Sequence, residues 1–197
     1  MNRFVATLIT ALLTLQGARA AATTSNAVEK ISQQEVVEAA LYGKADVVEK
    51  ALEQGYAVND PDQEKRTVLM YAAFNGQTPI VKTLIAAGAD VNARDTIGTS
   101  ALMFAASAPN GKDAASALLE AGAKINMVDD NEHFSALMWA AAEGQAENVE
   151  FLLANGADLT LKDVDGDTAE SFAAKAGHAA VVKILRDAAA KKDAPAE

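Results

Sequence analysis

The segment Ser135-Ala136-Leu137-Met138-Trp139-Ala140-Ala141 recurs twice earlier in this chain with small changes. The related segments are TVLMYAA at residues 67–73 and SALMFAA at residues 100–106. Each is followed by a glycine, by a second apolar stretch and by another glycine. A sequence that repeats at this scale predicts units that are too small to bury their own apolar faces and must stack on their neighbours.

Two series of glycines set the period of these units. The first series consists of Gly55, Gly88, Gly122 and Gly156. The second consists of Gly43, Gly76, Gly111, Gly144 and Gly177. Both series recur at nearly equal steps, which places the period in the range of helical repeat arrays. Five repeats and one continuous domain follow from this spacing.

The pattern resembles the ankyrin repeat. Besides the recurring first segment, the second apolar stretch closes on AGADVN at residues 87–92, with related endings at residues 121–126 and 155–160. The resemblance covers about 150 residues, which is most of the chain. It implies an all-α solenoid of about five helix-turn-helix repeats with projecting, β-hairpin-like fingers, and a role in binding other proteins.

Ser or Thr stands at the head of the units and predicts helix starts, because its hydroxyl accepts a hydrogen bond from the first free amides. These residues are Thr67, Ser100, Ser135 and Thr168. The first unit differs and opens with a capping-box pattern at Ser32 and Glu35. The alanine pairs after each first segment allow close helix packing, and the glycine after each second helix suits its left-handed end. Both terminal units are expected to be caps with polar outer faces.

Residues 1–20 are typical of a secretory signal peptide. Arg3 precedes a 12-residue apolar run, and the segment ends Ala18-Arg19-Ala20, so cleavage is expected after Ala20. The chain has no cysteine and no Asn-X-Ser/Thr site, which favours a bacterial periplasm over a eukaryotic secretory route. The predicted organisation continues with a flexible segment at 21–33, a repeat domain at 34–188 and a polar tail at 189–197. The predicted repeats are 34–60, 61–94, 95–128, 129–162 and 163–188.

The chain is acidic, with a formal net charge of −10. Removal of residues 1–20 would leave 27 acidic and 15 basic residues, a charge of −12. Nucleic acid and anionic membranes are therefore poor partners. Two interpretations of the acidity fit equally: attraction to a basic protein surface, or solubility alone.

An aromatic residue recurs at one position of the first helices. Tyr71, Phe104, Trp139 and Phe172 share this position, on the side opposite to the stacked alanines. In the ankyrin fold that side is the concave face, where Phe74 also points. The row either forms a protein-binding surface or packs the inner helices together. Candidate contact residues of this row are Tyr71, Phe74, Phe104 and Trp139.

We expect the remaining contact residues to lie on the fingers, because insertions in repeat arrays often lie on the binding side. The reference for the count is the second finger, from Asp95 to Ser100. Counted from Asp60 to Thr67, the first finger has two more residues than this reference, and the third finger has one more. The turn between the two helices of the third repeat, Ser107–Gly111, has two inserted residues. Neutral loop variation would also explain these insertions. The candidate contacts are Asp62, Glu64, Lys65, Thr96, Ile97, Asp129, Asp130, Glu132, His133, Phe134 and Asp165.

Catalytic, cofactor and metal sites are not expected. The chain has two histidines. His178 belongs to the Gly-His pair of the repeat pattern, and His133 alone is far short of a metal-ligand set. The run Asp163–Asp167 has the wrong spacing for a calcium loop. The sequence therefore predicts a protein that is not an enzyme.

The leading hypothesis is a periplasmic protein, monomeric when free, that binds and masks a co-exported enzyme with a basic or cleft-like surface. A peptidoglycan hydrolase, inhibited in the manner of an immunity protein, would be such an enzyme. One alternative is a chaperone or support factor for a periplasmic enzyme such as a catalase. Another is a secreted effector that binds a host protein.

Overall fold

The computed structural model describes residues 30–193, which contain ten helices arranged as five consecutive pairs. They are α1 Gln33–Tyr42, α2 Ala45–Glu53, α3 Val68–Phe74, α4 Thr78–Ala86, α5 Ala101–Ser107, α6 Lys112–Glu120, α7 Ala136–Ala142, α8 Ala146–Ala154, α9 Ala169–Ala176 and α10 Ala179–Asp193. The described residues contain no strand; two isolated antiparallel bridges, Arg94–Ser100 and Val128–Ser135, join finger bases. The all-α solenoid predicted from sequence is confirmed, whereas the predicted signal peptide lies outside the described residues.

The helices form two layers. The first helices of the repeats pack in order, α1 on α3, α3 on α5, α5 on α7 and α7 on α9, and the second helices cover one side of this row. The alanine pairs are at most 1 % exposed where the first helices meet, as at Ala72 and Ala73. Leu69, Leu102 and Leu137 fill the same core position in successive repeats. Burying each stabilises the stack by about 1.5–3 kcal/mol.

Three of the four predicted Ser/Thr helix caps form. The side-chain oxygens of Ser100, Ser135 and Thr168 accept hydrogen bonds from the backbone N–H three residues ahead, at 3.3–3.4 Å. The capping box of Ser32 and Glu35 is also present. Thr67 precedes α3, but its buried hydroxyl makes no hydrogen bond to any described residue.

A repeated asparagine links each of the first three repeats to the repeat that follows it. Nδ2 of Asn59 donates to the Gly88 carbonyl at 3.1 Å, and its Oδ1 accepts from the Asp90 N–H at 2.7 Å. Asn92 and Asn126 make the same pair of bonds one and two repeats further on. Thr160 stands at the fourth position and bonds within its own turn instead. The recurrence of this asparagine in the first three repeats is visible in the sequence.

The structure corrects two of the insertions counted from the sequence. Asp62, not Asp60, is the counterpart of Asp95, because both accept N–H bonds from residues two and four positions ahead. The first finger therefore has no extra residue. The turn between α5 and α6 spans residues 108–111, against 75–77 and 143–145 in the neighbouring repeats, so it holds one extra residue rather than two.

Thr99 offers a simple test of the buried finger base. Its side chain is 1 % exposed, and its hydroxyl has no partner among residues 30–193. We expect Thr99→Val to raise the free energy of unfolding by about 1 kcal/mol, because it removes an unpaired buried polar group without changing shape. Urea unfolding followed by circular dichroism measures this. Thr168→Val is the matched control: it removes a helix cap and should cost about 1 kcal/mol. Equal losses for both would contradict the prediction.

Candidate protein-binding surface

Each finger is folded around one aspartate. In the second and fourth fingers, Oδ1 of Asp95 and of Asp163 accepts hydrogen bonds from the backbone N–H groups two and four residues ahead, at 2.7–3.1 Å. In the third finger, Asp129 bonds the N–H groups of Asn131 and Glu132. These three aspartates are buried. Asp129, a candidate contact from the sequence, therefore shapes its finger from below the surface.

The fingers are joined to one another by backbone hydrogen bonds. The Thr96 N–H donates to the Glu64 carbonyl at 2.9 Å, and the Asp130 N–H donates to the Ile97 carbonyl at 2.9 Å. The Val164 N–H donates to the Glu132 carbonyl at 3.1 Å. Because the bonds run through all four fingers, the tips form one continuous, fixed edge. This connection between the fingers depends on main-chain geometry and has no side-chain signal in the sequence.

The base of the first finger is a polar cluster. The Tyr71 hydroxyl donates to the Asp62 carboxylate, and Nε of Arg66 lies 3.5 Å from Oδ2 of Asp95 in the next finger. Burial and the neighbouring carboxylate raise the pKa of Tyr71 to about 12, so its hydroxyl stays protonated at neutral pH. Tyr71 and Asp62 thus hold the finger in place.

The aromatic residues form a chain of ring contacts along the inner helices. The Phe74 and Phe104 ring centroids are 6.0 Å apart, and Phe104 contacts Trp139 at 6.5 Å. Phe134, from the third finger, lies 6.3 Å from Trp139 and 4.7 Å from Phe172. Tyr71, Phe104 and Phe134 are buried, whereas Phe74, Trp139 and Phe172 are partly exposed. The row packs the helices together and leaves only three rims for a partner.

The remaining candidates lie at the tips. Glu64, Lys65, Thr96, Ile97, Asp130, His133 and Asp165 are exposed, and Glu132 is half-buried. Asp130 is paired with Arg94 at 2.9 Å. Lys65 and His133 adopt left-handed backbone conformations, with φ of 57° and 60°. Val164, which is not among the contact residues predicted from the sequence, is 53 % exposed on the fourth finger.

Charge is distributed unevenly along this edge. The first finger, residues 61–66, has two acidic and two basic residues, and the second, residues 94–99, has one of each. The third, residues 128–134, has three acidic residues and no Lys or Arg. The fourth, residues 162–167, has three acidic residues and one Lys. The acidic excess is therefore concentrated on the last two fingers.

Glu132 and Asp165 are the carboxylates of these two fingers that remain available to a partner. Neither forms an ion pair with a described side chain. The third and fourth fingers are adjacent, because the Val164 N–H donates a hydrogen bond to the Glu132 carbonyl. Two carboxylates without ion pairs beside an exposed valine suit a partner surface that carries Lys or Arg next to apolar groups.

Residues 30–193 were also compared with the requirements of a metal site and of a membrane-spanning helix. No three His, Cys, Asp or Glu side chains converge closely enough to hold a metal ion. His178 has a structural environment, with Nε2 3.1 Å from the Ala142 carbonyl oxygen and its ring against Gly144. No helix in this range is long and apolar enough to cross a membrane.

Comparison with known proteins agrees with this architecture. The family model "Ankyrin repeats (3 copies)" matches residues 36–129 and 102–196. The chain is 33 % identical over 150 residues to ankyrin repeat and KH domain-containing protein mask-1 of Caenorhabditis elegans, covering 76 % of this chain and 6 % of that protein. It is 31 % identical over 132 residues to palmitoyltransferase Hip14 of Drosophila melanogaster, covering 67 % of this chain and 15 % of Hip14. It thus spans a small part of each relative's length.

Proposed function

This chain belongs to the ankyrin-repeat family, and from that premise we propose that it is an exported protein that binds and inhibits a co-exported enzyme. Repeats of this family generally form non-catalytic modules that bind other proteins. The observation that carries the proposal is the acidic excess on the third and fourth fingers, with its available carboxylates Glu132 and Asp165. The proposed partner has a basic cleft that these fingers enter and block.

The hydrogen bonds between the fingers support binding to a partner. Because the tips are tied together by backbone hydrogen bonds, little conformational entropy is lost when they are buried in a partner. Their charge would accelerate encounter with a basic surface and make the association rate fall as salt rises. A peptidoglycan hydrolase is the enzyme class we propose, with the chain acting as its immunity protein.

The proposed location is the bacterial periplasm. This rests on the signal-like layout of residues 1–20 and on the lack of cysteine and glycosylation sites. The partner would then be an exported protein of the same cell. Crosslinking in the native envelope, followed by pull-down and identification of the captured protein, tests this directly. Recovery of a cytosolic protein alone would contradict the proposal.

Charge reversal at the two available carboxylates tests the binding surface. We expect Glu132→Lys with Asp165→Lys to slow association with the captured enzyme roughly 10- to 100-fold at low salt, because both changes oppose a basic partner. Surface plasmon resonance at several salt concentrations measures the rate, and an activity assay measures the inhibition. Asp129→Lys is unsuitable here, because its buried carboxylate shapes the finger.

Asp113→Lys with Glu150→Lys is the matched control. It changes the net charge equally on exposed positions of the second helices, away from the fingers. Equal effects of the two double variants would show that only net charge matters. If the finger variant leaves activity unchanged but lowers the yield of the enzyme, the chain supports its partner instead of inhibiting it.

A further inference from the structure

The last repeat keeps an open stacking face. Ala141 and Val149 of the fourth repeat are fully buried beneath the fifth. Their counterparts one repeat later, Ala174 and Val182, are exposed and half-exposed. At these two positions the fifth repeat thus retains the small and apolar residues of an internal repeat, and the polar residues predicted for a cap, Lys183, Arg186 and Asp187, are exposed beside them. No described residue covers this face.

A groove of about 440 Å³ marks the open face, between α9 and α10. Its lining consists of the small or apolar residues Ala174, Gly177, Ala179 and Val182 and the charged residues Lys183, Arg186 and Asp187. The groove is lined by the positions that receive the next repeat inside the array. A chain segment that continues the stack would therefore fit there.

The first repeat presents an exposed aromatic side chain at the other end of the stack. Tyr42, the last residue of α1, is 63 % exposed. It precedes Gly43 as Asn75 precedes Gly76 in the next repeat. Nδ2 of Asn75 reaches back to the Leu41 carbonyl of the preceding repeat at 2.9 Å. Tyr42 therefore occupies the position that, inside the array, contacts the repeat before it.

The two ends carry opposite charge. Helices α1 and α2, with their turn, hold five acidic residues and two lysines within residues 33–53. Helices α9 and α10, with their turn, hold five basic and three acidic residues within residues 169–193. The first end is therefore acidic and the last end basic. A second copy placed head to tail would bring unlike charges together in the same register that the repeats already use.

We propose that this protein associates head to tail with a second copy of itself, Tyr42 of one copy entering the groove between α9 and α10 of the other. The contact is heterologous, so each copy keeps one free end and the assembly grows into short chains. A single-repeat face is small, which places the contact in the weak class, below about 1,200 Å² of buried surface. The protein is then a monomer when dilute and associates at high local concentration.

Sedimentation velocity on the intact purified protein tests this. Between about 10 µM and about 1 mM at low salt, the weight-average mass should rise past that of a dimer, and high salt should reverse the rise. Tyr42→Ser removes the side chain that enters the groove, and Ala174→Glu puts a carboxylate into it. Each variant alone should remain a monomer over this range.

A mixture of the two variants gives the sharpest outcome. The Tyr42→Ser protein keeps its groove and the Ala174→Glu protein keeps its tyrosine, so together they should form a heterodimer that grows no further. Ala176→Glu adds the same charge on α9 outside the groove, and this control should associate like the wild type. A wild type that stays monomeric throughout the range, or a mixture that does not dimerise, would overturn the proposal. Neither outcome bears on the fingers.

Discussion

Replacing Gly111 with alanine is expected to lower the free energy of unfolding by about 3 kcal/mol or more, since forced overpacking is among the costliest single changes. A Cβ atom at this position would lie 1.7 Å from the carbonyl oxygen of Ala105 and 2.8 Å from its carbonyl carbon. Both are backbone atoms of α5, so no side-chain rotation relieves the clash. Either the turn between α5 and α6 opens or the last turn of α5 unwinds.

Gly122→Ala separates this effect from backbone conformation. Gly122 has φ of +92°, and no neighbouring atom lies within 4 Å of the point that a Cβ atom would occupy there. Alanine at this position therefore meets only the left-handed penalty of about 1–2 kcal/mol. Gly111, in contrast, has an ordinary φ of −81°. Urea unfolding of both variants should rank Gly111→Ala as clearly the more damaging. The reverse order would show that the turn has room to relax.

Gly111 also shows how far the glycine spacing could be used. The spacing predicted the number of repeats and the helix pairs, because each unit must fit the same stacking distance. It could not show that Gly111 differs in role from Gly76 and Gly144, which have positive φ values. Treating all members of the series as equivalent gave one inserted residue too many in this turn. A glycine needed for space and one needed for conformation look identical in sequence.

The fingers were predicted only in part for a similar reason. Sequence placed acidic side chains there, but it did not distinguish carboxylates that accept backbone N–H bonds from those that face solvent. The available signal was the recurrence of Asp62, Asp95, Asp129 and Asp163 once per repeat, in step with the glycines. Val164 had no such signal. Its exposure follows from the turn that Asp163 imposes on the fourth finger.

Phe134 illustrates a contact that depends on tertiary structure. The extra residue in the third finger was correctly counted, and it was expected to project toward a partner. Instead, Phe134 is 6 % exposed and packs between Trp139 and Phe172. The buried position of the ring is favoured over an exposed position at the finger tip, because full burial of an aromatic side chain stabilises the fold by about 1.5–3 kcal/mol. Phe134 thereby anchors the third finger to the first helices of the fourth and fifth repeats.

Asn148 is a buried polar residue at a position that is otherwise apolar. Its counterparts in the second, third and fifth repeats are Ile80, Ala114 and Val181. Asn148 is 2 % exposed, and its Nδ2 donates to the carbonyl oxygens of Ala106 and Ala108, each at 2.8 Å. These carbonyls border the turn with the extra residue. The asparagine supplies the donors that this irregular turn requires.

We therefore expect Asn148→Leu to lower the free energy of unfolding by about 1–3 kcal/mol, because it leaves the buried Ala106 carbonyl without a donor, whereas the Ala108 carbonyl keeps the Gly111 N–H at 3.1 Å. Asn155→Leu is the matched control: Asn155 is exposed, donates to the Phe151 carbonyl at 2.8 Å, and should cost no more than about 0.5 kcal/mol. Urea unfolding monitored by circular dichroism measures both.

Shortening the turn between α5 and α6 tests whether the extra residue of this turn is the reason that Asn148 is needed. If Asn148 is present because the turn is long, deletion of Asn110 should remove most of the penalty of replacing Asn148 with isoleucine, the residue at the equivalent position in the second repeat. A double-mutant cycle over the deletion and the substitution should give a coupling free energy of about 1–3 kcal/mol. Additive effects would mean that Asn148 and the turn act independently, and the carbonyl groups would then need another explanation.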